Sequence, residues 1–159
     1  MDEAMKKQQA QKMYNIFCQT LDANDWKYKG NAEELKIECG AQGDDLPMEL
    51  VIVMKENLQN LQLLSRMPYK IPEDKRLDVA VAISDVNNRL VHGGFDYNVA
   101  DGNIYYRMVG NFSNFLWSQE ICKYMLFCAC KTIDEYNDKF LMVGKGIMSL
   151  EAFLKAENE

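Results

Sequence analysis

A chain of 159 residues, 48% apolar and 26% charged, has the size and balance of one globular domain around one core. Its formal net charge of −6 argues against nucleic acid or anionic lipid as a partner, because phosphate binding needs a basic surface. Five cysteines, an odd number set mostly at apolar-face positions, exclude a disulfide framework, and no apolar run approaches the ~20 residues of a membrane-spanning helix.

Residues 1–12 carry no apolar stripe and are expected to fray or to project as a helix start. They run into Gln-rich polar sequence rather than the apolar heart of a secretory leader, and the chain is expected to stay in the cytoplasm. Met13, Ile16, Phe17 and Leu21 follow helical spacing up to Asn24-Asp25. Trp26 to Lys29 alternates and predicts a short strand. Leu35, Ile37 and Cys39 alternate with Lys36 and Glu38 and predict a half-buried strand, closed by Gln42-Gly43-Asp44-Asp45 and Pro47. Glu49 to Met54 is different, because Leu50, Ile52 and Met54 cover one face while Val51 and Val53 cover the other. Such a strand is buried on both faces, or its outer face meets a partner, which makes Val51 and Val53 candidate binding residues. A fourth strand spans about Asn60 to Met67.

Pro68 and Pro72 bracket a connector, and Pro72, Glu73 and Asp74 suit the start of a helix. Val79, Ile83, Val86 and Leu90 form its apolar stripe, with His92 in the last turn and Gly93-Gly94 as the left-handed exit. Asn87 falls near that stripe. It is therefore expected to be buried, with its amide bonded to backbone outside its own helix in a structural role. Gly93 to Val109 then reads as a hairpin closed by a two-residue type I′ turn at Asp101-Gly102. That turn sets Val99 against Ile104, Tyr97 against Tyr106, Phe95 against Met108 and Asp96 against Arg107, with the aromatic face inward. After an aromatic bend to Trp117, Ser118 and Glu120 cap a long helix to about Met142. Gly144 and Gly146 break it, and a short terminal helix occupies 147–156.

The long helix carries the sharpest functional signal. Ile121, Met125, Ala129, Ile133, Tyr136 and Phe140 form one broad core stripe, and Phe127 falls opposite it, with Tyr124 three residues away. A phenylalanine left in water forgoes roughly 1.5–3 kcal/mol of burial, so something is expected to cover it. The cover is either the terminal segment, through Leu150, Phe153 and Leu154, or a second subunit or client protein, which makes Tyr124 and Phe127 candidate partner-binding residues.

Catalytic chemistry finds no comparable set. His92, the single histidine, sits where a cation complements a helix end, and Ser84 and Ser118 lack a nucleophile elbow. Asp44-Asp45 reads as a solvated turn, and Gly144-Lys145-Gly146 lacks the glycine spacing of a phosphate loop. Cys128 and Cys130 diverge by about 200° on a helix, so neither a metal nor another cofactor is expected.

The run Asn87-Asn88-Arg89-Leu90, the following Gly94-Phe95, then Asp101-Gly102, Tyr106-Arg107 and a tail from Gly144 to Ala152 ending in Ser-x-Glu-Ala resemble the YbjN-type family of sensory-transduction regulators. The resemblance extends from about Leu21 onward. It implies the α+β fold of type III secretion chaperones, a twisted and mainly antiparallel sheet with helices on one face in the order α-β-β-β-β-α-β-β-α, and it implies no catalytic residues. The chain is thus expected to be a single-domain, non-enzymatic protein-binding or regulatory module that pairs with itself as a homodimer or with another protein. A small-molecule sensor with a pocket lined by Trp26, Tyr28 and Trp117 is the alternative, followed by an enzyme with convergent polar groups that no motif reveals.

Overall fold

The computed structural model describes residues 1–158. Asp2 caps the first helix, α1 (Glu3–Ala23), by accepting the Met5 N–H at 2.8 Å. The segment expected to fray or project is therefore helical from Glu3. It is tied down by tertiary partners that periodicity does not register: Ala10 is buried, and the Gln9 amide donates to the Phe112 and Ser113 carbonyls. Asp25, in the left-handed region at φ 56°, turns the chain so that the Trp26 N–H returns to the Leu21 carbonyl. The first strand, β1 (Tyr28–Asn31), accordingly starts later than Trp26.

A meander follows: β2 (Lys36–Gln42), β3 (Pro47–Lys55) and β4 (Asn60–Lys70), each antiparallel to the last. A single 3-10 turn, Glu73–Lys75, leads into α2 (Arg76–Asn87). The hairpin is β5 (Gly94–Asn98) and β6 (Asn103–Asn111), followed by α3 (Gln119–Gly144), N-capped by Ser118, and α4 (Leu150–Asn158). The six strands lie in the order β1-β2-β3-β4-β6-β5. This is the α+β sheet-and-helix order expected from the sequence.

Alternation decides the faces. Ile37, Leu50, Ile52, Leu61, Leu63, Ile104 and Tyr106 are buried against the helices, and Phe95 joins Tyr106, Tyr136 and Phe140 in an aromatic cluster at 5.1–6.1 Å. Phe140 in turn meets Phe153 of α4 at 6.0 Å. The last helix is also held by ions, since Glu157 reaches Lys139 at 2.8 Å and Arg89 at 3.6 Å.

Two details differ from the sequence reading. α2 stops at Asn87 with its cap Asn88 right-handed, at φ −62°, so the expected left-handed exit is absent: His92 lies beyond the helix, and Gly93, at φ 67°, turns the chain into β5 instead. Asn87 is exposed rather than buried, because it sits on the last turn at the rim of the sheet, yet its carboxamide does leave its own helix to bond the Phe95 backbone.

The hairpin register is also shifted by two. Phe95 faces Tyr106, Tyr97 faces Ile104 and Asn98 faces Asn103, across a four-residue loop, Val99–Gly102. Only Gly102 adopts positive φ, at 76°, so the type I′ turn is absent. Tertiary bonds select the wider loop. Arg76 donates to both the Ile71 and Ala100 carbonyls, and the Ile71 N–H bonds the Gly102 carbonyl. A shift of two preserves which side chains face inward, whereas a shift of one would exchange them. Asp96 and Arg107 still pair at 2.9 Å, now diagonally.

Candidate protein-binding surfaces

The long helix α3 buries Cys122, Met125, Leu126, Ala129, Ile133, Tyr136 and Phe140. On its other side Tyr124 is 58% exposed and Phe127 is 47% exposed, and Ile121, expected on the core stripe, is exposed too because it lies in the first turn at the stripe's margin. The rings do not stand alone. Trp26, brought close by the turn after α1, meets Phe127 edge-on at 6.2 Å, and the Lys123 ammonium lies 5.7 Å from the Phe127 centroid. Tyr124 stands edge-on to His92 at 5.5 Å, its hydroxyl 3.1 Å from His92 Nε2. The outcome is an aromatic ridge along one helix, half-solvated and rimmed by one ammonium group.

The terminal segment does not cover this ridge. Phe153 packs on Phe140, and α4 lies against α2 and the end of α3. Trp26 supplies the partial cover instead, a role that sequence periodicity missed because Trp26 belongs to no helix or strand.

Val51 and Val53 lie elsewhere. Both are half-buried on the sheet face opposite the helices, Val51 beside Leu64 and Val53 beside Gln62, with Val109 of β6 54% exposed in the same row. The five residues singled out from the sequence thus fall in three places: Tyr124 and Phe127 together on the helix layer, Val51 and Val53 on the open sheet face, and Asn87 at the β5 edge.

A cleft of about 450 Å³ lies across the neighbouring ends of β3 and β4, lined by Pro47, Glu49, Arg66, Pro68, Tyr69 and Lys70. No sequence motif marks it. The cleft beside Trp26, about 380 Å³, has Asn24, Asp25, Lys27, Gly40 and Ala41 in its wall, and neither Tyr28 nor Trp117. Tyr28 instead bonds Asp22, and Trp117 donates to the Asn111 carbonyl while its ring lies against Gly110. The aromatic pocket expected of a small-molecule sensor is therefore not assembled from those three residues.

Among the described residues, no three His, Cys, Asp or Glu side chains are placed to hold a metal ion, and no helix is long and apolar enough to cross a membrane. The cysteines are free, and burial raises the thiols of Cys39 and Cys122 to about 11 and that of Cys130 to about 12. Such thiols stay protonated at neutral pH and make poor nucleophiles.

The YbjN family model, described as "Putative bacterial sensory transduction regulator", matches residues 15–142. The chain belongs to the YbjN family. No curated protein matches it. Among solved structures, a chain from the structure of the HopA1-SchA chaperone-effector complex is similar, with a TM-score of 0.51 at 12% identity over 78% of this chain and 91% of its own. That likeness is one of fold. It agrees with the chaperone-like sheet and helix layer that the family resemblance implied.

Proposed function

We propose that this YbjN-family chain is a cytoplasmic, chaperone-like protein-binding module that acts without catalysis and pairs with itself through the α3 ridge. The carrying observation is Phe127, half in water between Trp26 and Lys123 with exposed Tyr124 beside it. Covering a ring that is already half shielded adds about 1 kcal/mol per copy, and a two-fold contact doubles every such gain. The similarity to a chain of a chaperone–effector complex supports a protein partner.

Light scattering over a range of concentrations tests the reading on wild type and Phe127→Glu. The expected result is a dimer that the substitution converts to a folded monomer. A monomeric wild type, or a dimer indifferent to Phe127→Glu, overturns pairing through α3.

A further inference from the structure

We propose that the outer face of the sheet, turned away from the helices, docks an acidic amphipathic helix of a partner protein. The inference rests on the protein-binding reading but uses a different surface from α3.

The strand register decides which side chains share that face. Directly opposed residues point the same way, so the rows Lys36–Val53–Gln62–Val109 and Glu38–Val51–Leu64–Arg107 lie side by side on it. Val51, Val53 and Leu64 are half-buried and Val109 is exposed, which makes an apolar patch. Cations border it on every side: Lys55 beyond Val53, Arg66 beyond Leu64, and Lys36 and Arg107 on the neighbouring strands. Among the described residues, the outward ladder positions carry six cations and three carboxylates, on a chain of net charge −6. Lys36 is engaged by Glu38 and Arg107 by Asp96, which leaves Lys29, Lys55, Arg66 and Lys70 against Glu49.

That charge selects the occupant. Stacking the face on a second copy sets an excess of cations against the same excess. A single-stranded nucleic acid needs stacking rings, and among the described outward ladder positions Tyr105 alone is aromatic. A bilayer needs apolar side chains that penetrate it, whereas Val51, Val53 and Leu64 are half-buried. An acidic protein surface matches the face in sign, and the spacing is that of a helix crossing β3, β4 and β6. Val53 and Val109 sit two strand spacings apart, about 10 Å, the distance between helix residues i and i+7. The Lys55 and Arg66 rows lie about 20 Å apart along the strands, room for a helix about 10 Å across with a carboxylate on either flank. On the Arg66 side the border continues into the cleft that also holds Lys70.

The test uses a fluorescein-labelled helical peptide of about four turns, with a leucine stripe at i, i+3, i+4 and i+7 and glutamates on both flanks. A lysine-flanked counterpart and a scrambled peptide of the same composition are the controls. Binding is read from anisotropy and located by backbone amide NMR shifts of the whole chain. The expected result is saturable binding of the glutamate-flanked peptide only, with shifts at Val51, Val53, Leu64 and Val109. Lys55→Glu should weaken it about threefold and Lys55→Glu/Lys70→Glu about tenfold, the size of rim ion pairs. Both lysines are exposed at strand ends, so the fold should survive either change. Equal binding of the lysine-flanked or scrambled peptide, shifts confined to α3, or no binding would overturn the proposal. So would tighter binding of phosphatidylserine vesicles or oligothymidine at the same amides. Repeating the titration on Phe127→Glu separates the two readings: the peptide should bind unchanged whether or not the α3 ridge forms a dimer.

Discussion

The carboxamide of Asn87 pairs with Phe95 as a neighbouring strand would: Oδ1 accepts the Phe95 N–H at 2.9 Å, and Nδ2 donates to the Phe95 carbonyl at 2.9 Å. β5 is the edge of the sheet, so a side chain from α2 stands in for the strand that is missing there. Exposed edges invite pairing with other chains, and this one is partly closed.

Asn87→Leu removes both bonds while leaving a helix-compatible side chain. The expected loss is about 1 kcal/mol in urea unfolding, at the modest end for two bonds, because water can reach these groups. Exchange of the Phe95 amide should quicken at the same time. An unchanged midpoint and a still-protected amide would show that the clamp is dispensable.

Phe127 and Phe140 share α3 but differ in surroundings, the first 47% exposed and the second fully buried. Phe140→Ala should cost about 3–5 kcal/mol, since it opens a hole among Phe95, Tyr136 and Phe153. Phe127→Ala should cost the monomer about 1 kcal/mol or less. Denaturant titration at a dilution that favours monomer compares them, and similar losses would contradict the assigned exposures.

Gly102 combines a φ of 76° with a close approach to the connector before α2. A Cβ there would sit 2.3 Å from the Ile71 carbonyl oxygen. Gly102→Ala should therefore destabilise by about 2 kcal/mol or more and displace the Arg76 bonds to Ile71 and Ala100. A thermal melt within a degree or two of wild type would show that the loop has another conformation of equal energy.

Alkaline pH should weaken the fold. Burial lifts the Cys39 and Cys122 thiols to about 11 and the Cys130 thiol to about 12, from 9.0. It lifts the Tyr106 phenol to about 12, from 10.0. The folded protein keeps these protons at pH values where the unfolded chain has released them. Their stabilising contribution is thus complete below about pH 9 and is lost as pH rises through about 9 to 12. Urea midpoints measured across that range should fall, and a flat profile would refute the linkage.

Period and punctuation made most of the fold legible. The alternation of Leu50, Ile52 and Met54, the stripe of Val79, Ile83 and Val86, and the Ser118 cap all act through near neighbours in sequence. What escaped depends on distant groups. The Asp101-Gly102 pair favours a tight turn locally, yet Arg76 and Ile71, far away in the chain, stabilise the wider loop. Helical projection left Phe127 outside the core correctly, but it could not supply Trp26 as its neighbour. The cleft at Arg66 and Lys70 is lined by residues of two strands, a relation between segments that no window along either one contains.

The strand order has a kinetic consequence. Every neighbouring pair in the sheet joins consecutive strands except β4 with β6, which must meet across the whole of α2 and β5. The β1–β4 meander and the β5–β6 hairpin can each zip from a short turn, whereas joining them closes a far longer loop before any new contact offsets its entropy. That joining step is where the folding barrier should stand. Truncations at the Leu63–Met108 pair, and at Ile37 within the meander formed before that step, would then slow folding and leave unfolding nearly unchanged.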